Sequence, residues 1–221
     1  MIVGIDIGGS TTDAVLLTNG DVQVVTIEAN DPVAAAAGAL GKLVAELGLK
    51  LDQITGVAAT GAGARMLGDT LFARPVTKVD EFTAIGVGGT SLAQKSEALV
   101  VSLGTGTAIV SVKKNRITHL GGTGVGGGTL LGLSKHMLGI SKLETLEAMA
   151  SKGDLGRIDL TVRDIAGGPI GDLPANTTAA NFGKVSADAS PEDKALAIIN
   201  MIVEVIGVLS IANARGAHQE T

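Results

Sequence analysis

The sequence predicts an α/β protein of two related lobes, and three observations carry that prediction. Runs of β-branched and apolar residues alternate with stretches of helical apolar periodicity. A unit of apolar strand, Gly and hydroxyl turn, and returning strand occurs twice, once from Ile5-Asp6-Ile7-Gly8-Gly9-Ser10-Thr11 and again from Val101-Ser102-Leu103-Gly104-Thr105-Gly106-Thr107. The 32 glycines among 221 residues are about twice the usual share of roughly 7%, and they cluster between apolar runs without a triplet period. The repeat is short enough for convergent turn chemistry to produce it. Read as a duplication, it divides the chain into lobes 1–96 and 97–221, each presenting a hairpin turn toward a shared cleft.

Ile2 to Ile7 and Thr12 to Leu17 have strand composition, and Asn19-Gly20 supplies a type I′ turn before Val22 to Ile27. Asp31-Pro32 opens a helix as N-cap and first residue, with Val33, Ala36, Ala37, Leu40, Leu43, Val44 and Leu47 on one face and Gly48 as its stop. Ile54 to Thr60 is a buried strand ending in Thr60-Gly61-Ala62-Gly63, and Glu81 to Gln94 is a second helix. Ala98 to Leu103, the turn Gly104 to Thr107, and Ala108 to Val112 form the second strand pair. A hairpin at Arg116 to Leu120 leads into the glycine run Gly121 to Gly128, and the following Thr129-Leu130-Leu131-Gly132-Leu133 starts a helix. Ser141 with Glu144 forms a capping box. Ser190-Pro191-Glu192-Asp193 starts a last helix that runs to about Ala214, roughly 36 Å long, with Gly216 as its C-cap.

Composition excludes several classes of chemistry. The absence of Cys removes disulfides, thiol catalysis and Cys-ligated metal, and leaves a reducing cytoplasm as the default compartment. A formal charge of −5, with 17 basic residues spread along the chain and 1% aromatics, argues against a nucleic-acid binder. Met1 to Asp6 lacks a basic leader and an apolar run, so no signal peptide is expected. The stretch Met201 to Ala212 contains Glu204 and is too short for a membrane span, so no membrane partner is expected. His119, His136 and His218 lack metal-ligand spacing. No Walker lysine or G-x-S-x-G elbow is present, and no glycine cluster is read as the strand, G-x-G-x-x-G and helix unit of a dinucleotide fold.

The glycine clusters point to phosphate binding, because a residue without Cβ lets backbone N–H groups approach phosphate oxygens while Ser and Thr add donors. Taken singly, each cluster is equally an ordinary turn. Asp6 is a charge ending an apolar strand beside Gly8-Gly9, where it can hold Mg²⁺ through water near a triphosphate; an Asx turn is the alternative. Glu81, at a strand-to-helix switch, is placed to accept a proton from an attacking hydroxyl, or is simply a favourable acid in a first helical turn.

The opening Gly4 to Thr11 resembles the first phosphate motif of the superfamily that includes acetate and sugar kinases, actin and the heat-shock ATPases. Val79-Asp80-Glu81-Phe82-Thr83-Ala84, Gly104 to Thr107, Gly121 to Leu133 and Thr178-Ala179-Ala180-Asn181-Phe182-Gly183 resemble type II pantothenate kinase in order and spacing, over nearly the whole chain. The resemblance implies a two-lobed actin-like ATPase fold with duplicated ribonuclease H-like lobes. It implies phosphorylation of pantothenate by ATP with Mg²⁺, the first step toward coenzyme A, in a homodimer. Glu81 would be the catalytic base, and Asp6, Ile7, Gly8, Gly9, Ser10, Thr11, Thr12 and Asp13 the first phosphate loop, with Asp6 also serving the metal. Thr105, Gly127, Gly128, Thr129, Leu130, Leu131 and Leu143 would bind nucleotide. Thr107, His119, Ala179 and Ala180 would meet pantothenate, the two alanines across a subunit boundary, and the Pro191 helix would form the dimer.

The chain departs from the family pattern at five points. Asp13 stands where a Lys is common, His119 for Arg, Ala108 for Ser and Leu143 for an aromatic. The family also continues past the last helix into a strand, a Gly and Ser turn and a closing helix, so the C-terminal part is expected to be shortened or omitted. The alternatives are a sugar or amino-sugar kinase of the same superfamily and a non-kinase ATP-binding activator or regulatory module.

Overall fold

The structure, a computed structural model, describes residues 1–217 apart from 19, 29, 115 and 185. Strand β1 (Ile2–Ile7) points Val3, Ile5 and Ile7 inward, the period of two that a half-buried strand requires. It pairs antiparallel with β2 (Thr12–Thr18), which pairs in turn with β3 (Asp21–Ile27). Of the expected Asn19-Gly20 turn, Asn19 lies outside the described residues, and Gly20 takes φ 90°.

Helix α1 (Pro32–Glu46) starts where expected, with Asp31 Oδ1 accepting from the Ala34 amide at 2.7 Å. Its inward face is Ala35, Ala36, Ala39, Leu40 and Leu43, packed on β1 to β3, while Val33 of the predicted face is exposed. Leu47 caps the helix, and Gly48 follows at φ 62°. The chain then returns as β4 (Gly56–Thr60), parallel to β1.

Strands β5 (Thr70–Leu71) and β6 (Arg74–Lys78) complete a six-stranded sheet of order β3-β2-β1-β4-β6-β5. The sequence reading has neither. Their turn is Phe72-Ala73, with φ of 49° and 59°. A turn of that kind is normally announced by Asn or Gly, and Pro75 argues against a strand.

Helix α2 (Glu81–Ala93) packs on β7 (Ala98–Leu103) and β8 (Thr107–Lys113), which with β9 (Arg116–Thr123) form a three-stranded sheet. The approach is close at Gly86, where a Cβ would stand 3.0 Å from methyls of Ile117 and Val112. Met1–Gly121 is one compact unit and a second begins at Gly122. The packing of α2 on β7 and β8 keeps this sheet with the first unit, so the compact division falls later than the 96/97 lobe boundary drawn from the repeat.

In the second unit, α3 (Gly127–Leu138) and α4 (Leu143–Ala150) pack on α6 (Pro191–Gly216) around Leu146, Ala150 and Ala195. Between them lie β10 (Leu160–Thr161), α5 (Val162–Ala166) and β11 (Thr178–Ala180). The glycine run is divided, Gly121 to Thr123 ending β9 and Gly127 starting α3. Ser141 does not cap α4; Lys142 occupies that position without a side-chain bond. Ser190 caps α6 in a reciprocal box with Asp193, and the helix runs through Gly216 to an Ala217 cap. The 26-residue helix contains an 18-residue stretch of mean hydropathy 2.3, long and apolar enough by those measures to cross a membrane. The shorter Met201 to Ala212 count therefore understated it. Ile198, Ile202 and Ile206 nevertheless lie buried on α6.

Candidate functional site

In the first unit Asp6 lies at the C-terminal end of β1, directly opposite Asp13 of β2 and Thr60 of β4. Residues so paired share one face of a sheet, and the carboxyl ends of parallel strands are where open α/β sheets place ligands. The turn after β1 is closed by the Gly8 amide on the Thr11 carbonyl at 2.9 Å, and the turn after β7 by the Gly104 amide on the Gly106 carbonyl at 2.9 Å. Ser10 Oγ and Thr105 Oγ1 share a hydrogen bond of 2.9 Å. The two turns that repeat in the sequence are thus side by side. A Cβ on Gly9 would stand 3.2 Å from Thr105 Oγ1, so glycine permits this approach. Ile7, Thr12 and Thr107 turn their side chains into the protein.

Asp6 keeps an open side to solvent. Partial burial, then the charges of Glu81 and Asp13, raise its carboxyl above the ordinary value. Glu81 is the first residue of α2, held there because Asp80 caps the helix, accepting from the Thr83 amide at 2.9 Å and the Thr83 hydroxyl at 3.0 Å. Those bonds hold the Asp80 carboxyl below its ordinary value. Asp13 accepts a hydrogen bond from the Thr26 hydroxyl across the β2–β3 pair, which ties it to the sheet. His119, on β9, stacks on Phe82 with ring centroids 3.9 Å apart and planes 10° from parallel. The residue after Glu81 is therefore roofed by the predicted substrate residue.

Mutually repelling acids fit a cation and the phosphates it accompanies. Among the described residues no group of three His, Cys, Asp or Glu side chains is arranged to hold a metal ion. A Mg²⁺ ion here would rest on Asp6 through water and on phosphate oxygens, its usual manner of binding. The residues present fit that demand at a further point that the sequence reading missed. Thr60 Oγ1 is buried without a hydrogen-bond partner beside Asp6, a state that costs about 1–3 kcal/mol until a partner arrives. Gly61 follows at φ 84°, where a Cβ would come within 2.6 Å of the Ile7 carbonyl oxygen. The signal was available: Thr60-Gly61-Ala62-Gly63 has the composition of the other two turns and also ends a strand. A shallow hollow of about 340 Å³ lined by Ile2, Thr55 and Pro75 lies at the opposite end of β1 and takes no part.

In the second unit Gly127, Gly128 and Thr129 form the first turn of α3, where amides lack intrahelical acceptors and favour an anion. Thr129 Oγ1 shapes this turn, donating to the Gly124 carbonyl at 2.9 Å and accepting from the Gly126 amide at 3.3 Å. Leu130 packs toward Leu146 and gives its amide to the Gly126 carbonyl. Leu131 and Leu143 are exposed, as are Ala179 and Ala180 on β11. His218 lies outside the described residues.

A model of the Fumble family matches residues 94–220. The chain is 32% identical over 161 residues to a type II pantothenate kinase of Bacillus anthracis, covering 69% of this chain and 58% of that one. It is 41% identical over 143 residues to a type II pantothenate kinase of Oceanobacillus iheyensis, covering 61% and 53%. These matches span little more than half the length of the curated relatives. Among solved structures, the activator of 2-hydroxyisocaproyl-CoA dehydratase from Clostridium difficile, with bound ADPNP, superposes with TM-score 0.66 at 16% identity over 94% of this chain and 74% of that one. Component A of (R)-2-hydroxyglutaryl-CoA dehydratase from Acidaminococcus fermentans gives 0.63 at 13% identity, over 97% and 77%. The actin-like ATPase fold expected from the phosphate motif is the fold of this chain.

Proposed function

Because the chain belongs to the Fumble family, we propose that it transfers the γ-phosphoryl group of ATP to the pantothenate hydroxyl, giving 4′-phosphopantothenate and ADP. The observation that carries this reading is the hydrogen bond joining the Ser10 and Thr105 turns next to the end of β1 that bears Asp6, and the charge of Glu81 is among the causes that raise the Asp6 carboxyl. The Gly8 to Thr11 turn and Thr105 hold phosphate oxygens through N–H and hydroxyl groups. Glu81 accepts the proton of the attacking hydroxyl as the oxygen bonds to phosphorus and the bond to the ADP oxygen breaks. Asp6 and the unpartnered Thr60 hydroxyl would hold Mg²⁺ through water, and the ion would supply charge neutralisation on the phosphates. Thr107 and His119 would orient pantothenate, with Ala179 and Ala180 meeting it across the subunit boundary, and Gly127 to Leu131 with Leu143 would serve the nucleotide.

The reading includes a homodimer, supported by the exposed Val203, Val208 and Ile211 on α6, together with a cytoplasmic location and a division into lobes 1–96 and 97–221. Mass spectrometry of products from a mixed panel of pantothenate, sugars and amino sugars tests it. Phosphopantothenate is expected from the native chain, and Glu81→Gln should lower the rate about 10²–10⁴-fold with nucleotide binding kept. Phosphorylated sugar alone, or nucleotide binding without transfer to any acceptor, overturns it.

A further inference from the structure

The second unit buries a carboxylate that the proposed reaction does not use. Asp159 is 2% exposed. One of its oxygens accepts the Phe182 amide at 2.8 Å and the other accepts Asn200 Nδ2 at 3.0 Å. Asn200 lies on α6, as does Glu204, which accepts from Asn181 Nδ2 at 3.0 Å. Adjacent residues of one loop are thus tied to two acids, one in the segment just before β10 and one on α6.

The loop so held is a tight turn, closed by the Gly183 amide on the Ala180 carbonyl at 3.1 Å. Its third residue, Phe182, sits at φ 55°, a conformation that a bulky side chain adopts only when its surroundings impose it. A Cβ on Gly183 would stand 2.8 Å from Ala180 Cβ, so glycine permits the turn to close this tightly. Leu160, next to Asp159, pairs with Ala180, and Ala179 and Ala180 emerge exposed from this clamp. A buried anion is tolerable only while its donors stay in place. The carboxylate and the strained turn therefore fix each other, and what they present outward is a pair of small side chains.

We propose that Asp159, with Asn200 and Glu204, is a positioning clamp that holds the Ala179–Ala180 edge in the one orientation able to receive the phosphoryl acceptor. This rests on the reading of those alanines as pantothenate contacts. Asp159→Asn keeps the shape but turns one accepting oxygen into a donor, releasing the Phe182 or the Asn200 bond.

The test combines amide hydrogen exchange over residues 178–184 with steady-state kinetics of the full chain. Asp159→Asn should speed exchange at Phe182 and raise the pantothenate KM about tenfold, the order expected when one hydrogen bond to a charged group is lost. The ATP KM should stay within about twofold. Adding Phe182→Gly, which takes positive φ without strain, should recover part of the pantothenate KM. Should Asp159→Asn fail to fold, Glu204→Gln should show the same selective change at smaller size. Faster exchange with an unchanged pantothenate KM overturns the clamp alone. Equal rises in both KM values reduce it to a structural role and also overturn it. A native chain that binds nucleotide but never phosphorylates pantothenate overturns the underlying reading, and the clamp with it.

Discussion

The carboxyl of Asp6 is raised from its ordinary 3.8 by partial burial and by Glu81 and Asp13. The folded chain therefore holds this proton more tightly than the unfolded chain, and stability falls as pH rises from about 3.8 through the folded value. Asp6→Asn should raise the Tm of the nucleotide-free protein at pH 7. The gain is about 2–4 °C if relief, after solvent screening, reaches about 1 kcal/mol. The same change should weaken MgATP more than metal-free ATP. Thermal scans at pH 4 and pH 7, with calorimetry for both ligands, check it, and equal losses for the two ligands contradict the metal role. His119→Arg keeps a planar group over Phe82 and adds a permanent, forked donor; the pantothenate KM should fall several-fold. An unchanged KM shows that the residue does not reach substrate. The placement of Asp6 at a strand end and of Gly8, Gly9, Ser10 and Thr105 in turns was legible in the sequence, because a charge after an apolar run and a glycine-hydroxyl turn are local signals. The Asp13 bond to Thr26, the stack of His119 on Phe82 and the clamp at Asp159 depend on register and distant partners, which no local window contains.

Elements follow the same division. Strands β1 and β2 were legible from their alternation, β3 from its β-branched composition after Gly20, and α1 and α6 from the Asp31 and Ser190 caps that open them. Strands β5 and β6 were not, since their turn places Phe72 and Ala73 in a conformation that neither residue advertises. The region from Leu155 to Ala180 escaped for another reason: β10 and β11 have two and three residues, too few for a period to declare itself. Helix α2 shows how an element serves the site, because its cap fixes the position of Glu81. Asp80→Ala should lower the stability of the chain through loss of the cap and also lower kcat, as the first turn frays beneath the base. Urea denaturation with single-turnover rates checks both. A stability loss with full kcat would show that Glu81 is held by something other than the cap.

At the scale of the whole chain, binding and stability are linked through whatever the nucleotide joins. At a hundred times its Kd, MgATP should add about 2.7 kcal/mol, or roughly 5–10 °C in Tm at this chain length. Absence of any shift, with nucleotide shown by calorimetry not to bind, contradicts the phosphate reading. The alternation of strands and helices and the repeated turn were enough to expect a two-lobed α/β chain, and the resemblance of Gly4 to Thr11 to a known phosphate motif supplied the actin-like ATPase fold. The boundary between compact units was not legible, because it depends on how α2 packs on β7 and β8. The bond between Ser10 and Thr105 joins residues 95 positions apart. On a chain made from its N-terminus, the first turn leaves the ribosome well before its hydroxyl partner exists. A nascent or clipped product ending ahead of Thr105 therefore carries an unfinished grip, and nucleotide capture becomes a late event in the life of each new molecule.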